Sequence, residues 1–286
     1  MTIKQIIQIV ISKLENYSDT PDLDARIIVS SIFNIKSNNL ILRYENILND
    51  LQIKKILQMT DERIDNTPVA YIIGKKEFYG REFFVNQDVL IPRPETEILI
   101  EKILEINKTD KVKNIVDIGT GSGCISITLA LEIPGVKVYA SDISKKALQV
   151  TKKNAIIYLG ESLENFSIVK GNLLDPFISF TQIDVIVANL PYLDENQYTD
   201  DSIKKEPNLA LYSDQKGLSH YIKLIKFIQN HLFLLPKYLL IEVNPEQVNF
   251  LTNFIQKSFP NIIKIQVLKD LKGYNRHILV KNSILS

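Results

Sequence analysis

Four consecutive residues at the end of an apolar run could hold a flat group that carries NH2. Asn189, Leu190, Pro191 and Tyr192 follow residues 185–188, whose sequence Val-Ile-Val-Ala predicts a buried strand. The Asn189 side-chain oxygen and the Leu190 carbonyl can each accept a hydrogen bond, and the Tyr192 ring can cover the face of the group. Because Asn and Pro are common turn formers, a polar turn is the better explanation of these residues taken alone.

A glycine-rich segment earlier in the chain could hold a nucleoside. Gly119, Thr120, Gly121, Ser122 and Gly123 follow the apolar strand predicted over residues 115–118. Glycines at the carboxyl end of a strand allow a tight turn and a close approach by a ligand. Their G-x-G-x-G spacing differs from the G-x-G-x-x-G dinucleotide fingerprint, and no lysine follows them as in a P-loop. A packing turn would explain the glycines alone about as well.

An acidic residue closes the next predicted strand. Asp142 follows the strand predicted over residues 136–141. A carboxylate at this position can accept hydrogen bonds from both ribose hydroxyls of an adenosine, a device that nicotinamide cofactors also use. The loop and the carboxylate, in this order, predict a nucleoside cofactor at the carboxyl ends of the strands.

The elements that would position these residues fall into three parts. Residues 1–75 show apolar spacing of three and four residues, which predicts a small helical domain. Residues 76–93 predict a connecting β-hairpin, with strands over 78–85 and 89–91. From residue 94 to residue 286, strands and helices alternate, which predicts a mostly parallel sheet covered by helices on both faces. We expect a long helix over 218–234 and an antiparallel final pair of strands, 263–268 and 277–280.

The composition excludes several classes of protein. The 286-residue chain has 34 basic and 33 acidic side chains, so no strong overall charge would attract nucleic acid. A single cysteine excludes an internal disulfide, and no apolar stretch is long enough to span a bilayer. Three scattered histidines give no metal-binding spacing, so we expect no metal. We expect a cytoplasmic protein without a membrane partner.

The loop, the strand-end carboxylate and the antiparallel final pair resemble the class I S-adenosylmethionine-dependent methyltransferases. The resemblance implies an α/β, Rossmann-like, seven-stranded sheet and S-adenosyl-L-methionine as the cofactor. It implies that the glycine loop lines the methionine and ribose, that Asp142 holds the ribose, and that Asn172 or Leu173 borders the adenine. The full set of implied cofactor-binding residues is Asp117, Gly119, Thr120, Gly121, Ser122, Gly123, Asp142, Asn172, Leu173 and Asn189.

Residues 189–192 resemble the N-P-P-Y signature of methyltransferases that act on planar amines and amides. The resemblance implies that Asn189, Leu190, Pro191 and Tyr192 form the catalytic segment. Two acceptors would orient the nitrogen and disperse the positive charge that grows on it, while Tyr192 stacks on the amide plane. Leu190 departs from the signature, which usually has proline there. Its backbone carbonyl is retained, so we expect activity.

A further resemblance extends over nearly the whole chain. Residues 67–74, 77–80 and 92–97 are similar to the release-factor glutamine methyltransferase family, also called PrmC or HemK. The similarity continues at Glu206-Pro207, Ala210-Leu211, Gly217-Leu218, Glu242, Gln247, Asp270-Leu271, Gly273 and Arg276. Residues 92–97, Pro-Arg-Pro-Glu-Thr-Glu, are the most specific of these. The resemblance implies methylation of the side-chain amide nitrogen (N5) of the glutamine in the Gly-Gly-Gln motif of class I peptide chain release factors. It also implies a helical domain that docks the release factor, and we expect a monomer.

Two other functions fit part of the same pattern. An adenine-N6 methyltransferase acting on nucleic acid would grip the exocyclic amine in the same way, although the near-neutral charge does not favour it. A protein that binds the cofactor without catalysis would be consistent with Leu190. Transfer of label to nucleic acid would indicate the first, and binding without turnover would indicate the second.

Overall fold

The computed structural model describes residues 1–194 and 201–284, and it divides into two compact units. The first unit contains residues 1–75 and 201–205, and the second contains residues 76–194 and 206–284. No helix in these described ranges is long and apolar enough to cross a membrane.

The first unit is helical, as its apolar periodicity predicts. Two of its helices begin at capping boxes, in which Thr2 pairs with Gln5 and Asn49 pairs with Gln52. The buried faces of these two helices meet in a single apolar cluster that includes Ile6 and Ile56. The helices are α1 (Ile3–Leu14), α2 (Pro21–Ser31), α3 (Asp50–Ile64) and α4 (Val69–Ile73), and a 3-10 helix spans Ser37–Arg43.

The second unit is built on a seven-stranded sheet whose strands, in order across the sheet, are β5 (Phe166–Lys170), β4 (Lys137–Asp142), β3 (Asn114–Ile118), β6 (Val185–Ala188), β7 (Tyr238–Glu242), β9 (Asn275–Asn282) and β8 (Ile263–Lys269). Strands β3 to β7 are parallel, and β9 pairs antiparallel with both of its neighbours. This confirms the predicted α/β fold with its antiparallel final pair.

Helices cover both faces of this sheet because its central strands are apolar on both sides. Every residue of β6 and of β7 is buried. Side chains that alternate along β3 and β6 enter two separate clusters, one on each face. The helices of this unit are α5 (Glu97–Thr109), α6 (Cys124–Glu132), α7 (Lys145–Leu159), α8 (Asn208–Leu211), α9 (Asp214–Gly217), α10 (Ser219–Asn230) and α11 (Val248–Ser258).

The connecting hairpin is shorter than predicted, and its turn lies elsewhere. Its strands are β1 (Lys75–Phe78) and β2 (Arg81–Phe84), so the expectation of a strand over residues 89–91 was wrong. Tyr79 and Gly80 both have positive φ, 48° and 71°, and they form a tight two-residue turn inside the segment predicted as one strand. The helix predicted over 218–234 also ends early, at Asn230, and a 3-10 turn over Leu232–Leu234 follows.

Candidate active site

A cavity of about 420 Å³ lies at the carboxyl ends of the parallel strands of the second unit. The loops that follow β3, β4, β5 and β6 all contribute to its wall. In open α/β sheets, ligands bind at this edge, where neighbouring connections leave in opposite directions. Its volume is within the usual range for small-molecule sites.

The glycine loop after β3 is held by backbone contacts. Gly119, Gly121 and Gly123 all have positive φ, between 57° and 82°. The Gly119 and Thr120 N–H groups both donate to the Ser141 carbonyl at 2.9 Å. A Cβ on Gly119 would lie 3.0 Å from Cδ2 of Leu190, so this position has little room for a side chain. The loop therefore keeps its backbone open to the cavity.

Asp142 is tied to the loop and to the helix that follows it. Its Oδ2 accepts from the Gly121 N–H at 3.1 Å, and its Oδ1 accepts from the Ser144 N–H at 2.8 Å. Burial raises the pKa of the Asp142 carboxyl, and these backbone donors lower it. Ser144 caps α7 through its side chain, as the sequence predicts. Asp142 lines the cavity with lone pairs that further donors can use.

Asp117 lies beneath the loop rather than at the cavity. Its side chain is fully buried, and its Oδ2 accepts from the Thr120 hydroxyl at 2.7 Å. Burial raises the pKa of the Asp117 carboxyl to about 6. Among the described residues, Asp117 is not part of the cavity lining. Its contacts are those of a group that supports the loop.

The Asn189 side chain has one engaged end and one free end. Its Nδ2 donates to the Thr96 hydroxyl oxygen at 3.0 Å. Its Oδ1 is buried and has no hydrogen-bond partner in residues 1–194 and 201–284. Asn189 also lines the cavity. A buried acceptor without a partner is costly, and a ligand that donates a hydrogen bond would satisfy it.

Leu190 is fixed through its backbone. Its N–H donates to the Tyr221 hydroxyl at 3.0 Å, and its side chain is 5% exposed. The Tyr221 hydroxyl donates its single hydrogen to the backbone carbonyl of Glu242. The Leu190 carbonyl, 3.4 Å from the same hydroxyl, therefore remains available as an acceptor.

Glu242, at the end of β7, connects several of these groups. It is 1% exposed; its Oε2 accepts from the Thr96 hydroxyl at 2.7 Å, and its Oε1 accepts from Tyr192 at 3.3 Å. Burial and the nearby Glu242 carboxylate raise the pKa of Tyr192 well above its ordinary value. His277 Nε2 lies 3.8 Å from Oε2.

The structure brings most of the sequence-predicted site residues to one cavity, though not all. Within the described part of the chain, the cavity lining does not include Tyr192, Asp117 or Gly123. The Tyr192 hydroxyl is bound to Glu242, so stacking of its ring on a substrate amide stays a prediction. The sequence-predicted site residues that line the cavity are Gly119, Thr120, Gly121, Ser122, Asp142, Asn172, Leu173, Asn189, Leu190 and Pro191.

Motif analysis missed the roles of Thr96, Glu242 and Tyr221. Thr96 and Glu242 stand in segments that carried the family resemblance, yet nothing local indicates that they meet. One signal was available for Glu242, since an acidic residue that closes a fully apolar strand is the same pattern that singled out Asp142. No comparable signal marks Tyr221.

The fold and the site define a class I methyltransferase. Residues 94–206 match the profile described as the methyltransferase small domain. The N-terminal domain of human METTL16, solved in complex with SAH, superposes with a TM-score of 0.52 at 16% sequence identity. The match covers 93% of this chain and 96% of that one, and it indicates a shared fold.

The family is more specific. Residues 5–74 match the profile of the PrmC N-terminal domain. The release factor glutamine methyltransferase of Bacillus subtilis is 41% identical over 79% of this chain and 78% of its own length. A bifunctional methyltransferase of Rickettsia conorii is 32% identical over 97% of this chain, which spans only 57% of that relative. The chain belongs to the release factor glutamine methyltransferase family, which confirms the resemblance seen in its sequence.

Proposed function

We propose that this protein transfers a methyl group from S-adenosyl-L-methionine to the N5 amide nitrogen of a protein glutamine. The name of the Bacillus subtilis relative supports a release-factor glutamine as the substrate. Within this proposal, the target is the Gly-Gly-Gln glutamine of class I peptide chain release factors. The observation that carries the proposal is Asn189 Oδ1, a buried acceptor without a partner in the described ranges, at a cavity wall. A glutamine side chain would supply the missing N–H donor.

The residues present fit S-adenosyl-L-methionine. Asp142 offers carboxylate lone pairs at the wall, which would hold the ribose hydroxyls. The glycine loop, with Thr120 and Ser122, would line the methionine and ribose portion, and Asn172 or Leu173 would border the adenine. When bound, the cofactor supplies an electrophilic methyl group on sulfur with a neutral leaving group.

The chain's own residues would prepare the amide nitrogen for attack. Delocalisation into the carbonyl makes an amide nitrogen a poor nucleophile. Asn189 Oδ1 and the Leu190 carbonyl would accept its two hydrogens, orient it, and stabilise the positive charge that grows on it. Fixed positioning supplies the other large part of the rate. The nitrogen becomes acidic after transfer and then releases its proton, so no residue is assigned as a base.

Substrate docking and cellular setting complete the proposal. The N-terminal helical unit, residues 1–75 in our domain assignment, would dock the release factor. Residues 76–93 would form the connection, and residues 94–286 would perform the transfer. We propose a monomer in the cytoplasm that acts on protein rather than on nucleic acid.

Label transfer to a purified release factor tests this function. Wild-type protein, labelled S-adenosyl-L-methionine and intact release factor should give label on the Gly-Gly-Gln glutamine after proteolysis. Asn189→Ala should lower the rate by ~10²- to 10³-fold, the usual effect of removing one group that stabilises developing charge. A release factor with alanine at the target glutamine is the matched substrate control. Label on DNA or RNA instead, or binding without turnover, would reject the proposal.

A further inference from the structure

We propose that Thr96 and Glu242 are positioning residues that determine which end of the Asn189 amide faces the substrate. The inference deepens the proposed function, because it concerns the oxygen assigned there to hold the glutamine amide. An asparagine side chain has nearly the same shape when its oxygen and nitrogen are exchanged. Its hydrogen-bond partners therefore decide which atom is presented.

Glu242 determines which atoms donate and which accept in the two hydrogen bonds that link it, through Thr96, to Asn189. A carboxylate accepts hydrogen bonds and donates none, so the Thr96 hydroxyl must spend its single hydrogen on Oε2 at 2.7 Å. The Thr96 oxygen then has only lone pairs to offer Asn189. Asn189 therefore presents Nδ2 to Thr96, at 3.0 Å, and its Oδ1 faces away.

Rotation of the Asn189 side chain so that Oδ1 and Nδ2 exchange places would be unfavourable in two ways. Asn189 Oδ1 would then face the Thr96 oxygen with no hydrogen between two acceptors. The Asn189 NH2 group would take the place of Oδ1, which has no protein partner in residues 1–194 or 201–284. Because these atoms are shielded from water, an unmade hydrogen bond is expensive there.

Glu242 is itself well held. Strands β6 and β7 are neighbours, with Ala188 paired to Ile241, so Asn189 and Glu242 follow adjacent strand positions. Tyr192 donates to Glu242 Oε1, and the Tyr221 hydroxyl donates to the Glu242 carbonyl. The side chain of Thr96 is nearly inaccessible at 2% exposure. These contacts fix the position of the Glu242 carboxylate. Because that carboxylate accepts the Thr96 hydrogen, the Thr96 oxygen can only accept a hydrogen bond from Asn189.

The consequence for the substrate is discrimination by hydrogen-bond character. An oxygen presented at the cavity favours an NH2 group and repels a carboxylate of the same size. Glutamine would therefore be accepted and glutamate at the same position rejected. A site built to receive a hydrogen bond discriminates strongly against an analogue that cannot donate one.

Three substitutions separate polarity from packing. Thr96→Val keeps the shape and removes the hydroxyl, whereas Thr96→Ser is the matched control that keeps it. Glu242→Gln can donate to the Thr96 oxygen and so release the Thr96 hydrogen toward Asn189 Oδ1. We expect Thr96→Val and Glu242→Gln to lower kcat for release-factor methylation by ~10- to 10²-fold, with Thr96→Ser within ~3-fold of wild type. The dissociation constant for S-adenosyl-L-methionine, measured by calorimetry, should stay within ~2-fold.

A double-mutant cycle and a spectroscopic measurement give the decisive readouts. In an Asn189→Ala background, Thr96→Val should cause no further loss, because both changes remove one function. The side-chain amide ¹⁵N–¹H resonances of Asn189, assigned by their loss in Asn189→Ala, should shift in Thr96→Val and not in Thr96→Ser. This measurement needs no turnover.

The outcomes distinguish the two proposals. If wild type methylates the release factor and Thr96→Val does so equally well with unshifted resonances, the positioning role is wrong and the function stands. Equal losses in Thr96→Ser and Thr96→Val would also reject it, since packing would then be responsible. If wild type transfers no label, the proposed function fails, while the resonances still decide the orientation of Asn189. Should Thr96→Val fail to fold, Glu242→Gln carries the same test.

Discussion

The two sides of the cavity are built in different ways. The glycine loop is held by hydrogen bonds to partners a few to about 30 residues away: Asp117 and Thr120 are 3 residues apart, Gly121 and Asp142 are 21 apart, and Ser122 and Asn154 are 32 apart. The tip of β6 depends on distant partners. Asn189 and Thr96 are separated by 93 residues, and Thr96 and Glu242 by 146. The side of the cavity assigned to the methyl donor is thus formed by nearby segments, and the side assigned to the methyl acceptor is assembled from segments far apart in the chain.

This difference indicates which substitutions each side of the cavity should tolerate. Backbone conformation shapes the loop, so its tolerance depends on φ and on space for Cβ. Buried side-chain hydrogen bonds shape the tip, so its tolerance depends on a polar network that must be satisfied as a whole. Four changes test this contrast.

The largest expected effect comes from Gly217→Ala, which would disturb residues 189–192 at the end of β6. Gly217 has a φ of 78°, and a Cβ there would lie 1.9 Å from the Tyr192 carbonyl oxygen. Because the tip must move, we expect methyl transfer to fall by ~10²- to 10³-fold, about 3–4 kcal/mol in activation free energy. Binding of S-adenosyl-L-methionine should change by less than ~3-fold, which calorimetry can measure.

Gly135→Ala is the matched control for this substitution. Gly135 has nearly the same φ, 77°, but a Cβ there would have no neighbour within 4 Å among the described residues. It should cost about 1 kcal/mol of stability through backbone strain and leave transfer intact. Equal losses of transfer in both variants would contradict the role of the clash.

The second effect is a pH dependence of stability that originates beneath the loop. Burial raises the pKa of the folded Asp117 carboxyl to about 6 from its ordinary value of 3.8, so the folded protein holds this proton more tightly than the unfolded chain does. Relative to Asp117→Asn, the free energy of unfolding of wild type should fall by about 2 kcal/mol as pH rises from 4 to 6, out of a total of about 3 kcal/mol between pH 2 and pH 8. The difference should become constant only above about pH 7. Urea unfolding at several pH values measures it, and parallel curves for the two proteins would exclude a raised pKa.

The third effect concerns Asp142 and cofactor affinity. Asp142→Asn keeps the size of the side chain but removes its charge and one acceptor. We expect the dissociation constant for S-adenosyl-L-methionine to rise by ~10-fold or more, since charge-assisted hydrogen bonds to the ribose would be lost. With saturating cofactor, kcat should remain within ~3-fold. A large fall in kcat with unchanged affinity would place Asp142 in the chemistry instead.

The smallest effect on activity is expected for Leu190→Pro. The substitution removes the N–H that donates to Tyr221 and the side-chain contacts beside Gly119, so stability should fall by about 1–2 kcal/mol. Transfer should stay within ~3-fold because the backbone carbonyl remains. Leu190→Ala, which keeps the N–H, separates the two losses. A ~10-fold loss of transfer in folded Leu190→Pro would show that the leucine has a role of its own.

The same contrast explains what the sequence could and could not predict. The parallel sheet, the loop and Asp142 follow from apolar runs and from spacings of a few residues. The prediction misplaced the hairpin turn because Tyr79 has a positive φ, which its residue type does not predict. The link between Thr96 and Glu242 was missed because the two residues are 146 positions apart and meet only in the folded structure. The chemistry of neighbouring residues can be predicted from a single sequence, whereas hydrogen bonds between segments far apart in the chain cannot.

Cys124 has a practical consequence for experiments on this protein. It is the only cysteine of the chain, its side chain is 7% exposed, and burial raises the pKa of its thiol to about 12. The reactive form of a thiol is the thiolate, so Cys124 should resist alkylating reagents at neutral pH. A cysteine introduced on the surface would then be the preferred attachment point for a fluorophore. Distance measurements during the encounter with a release factor could be made without first removing a native cysteine.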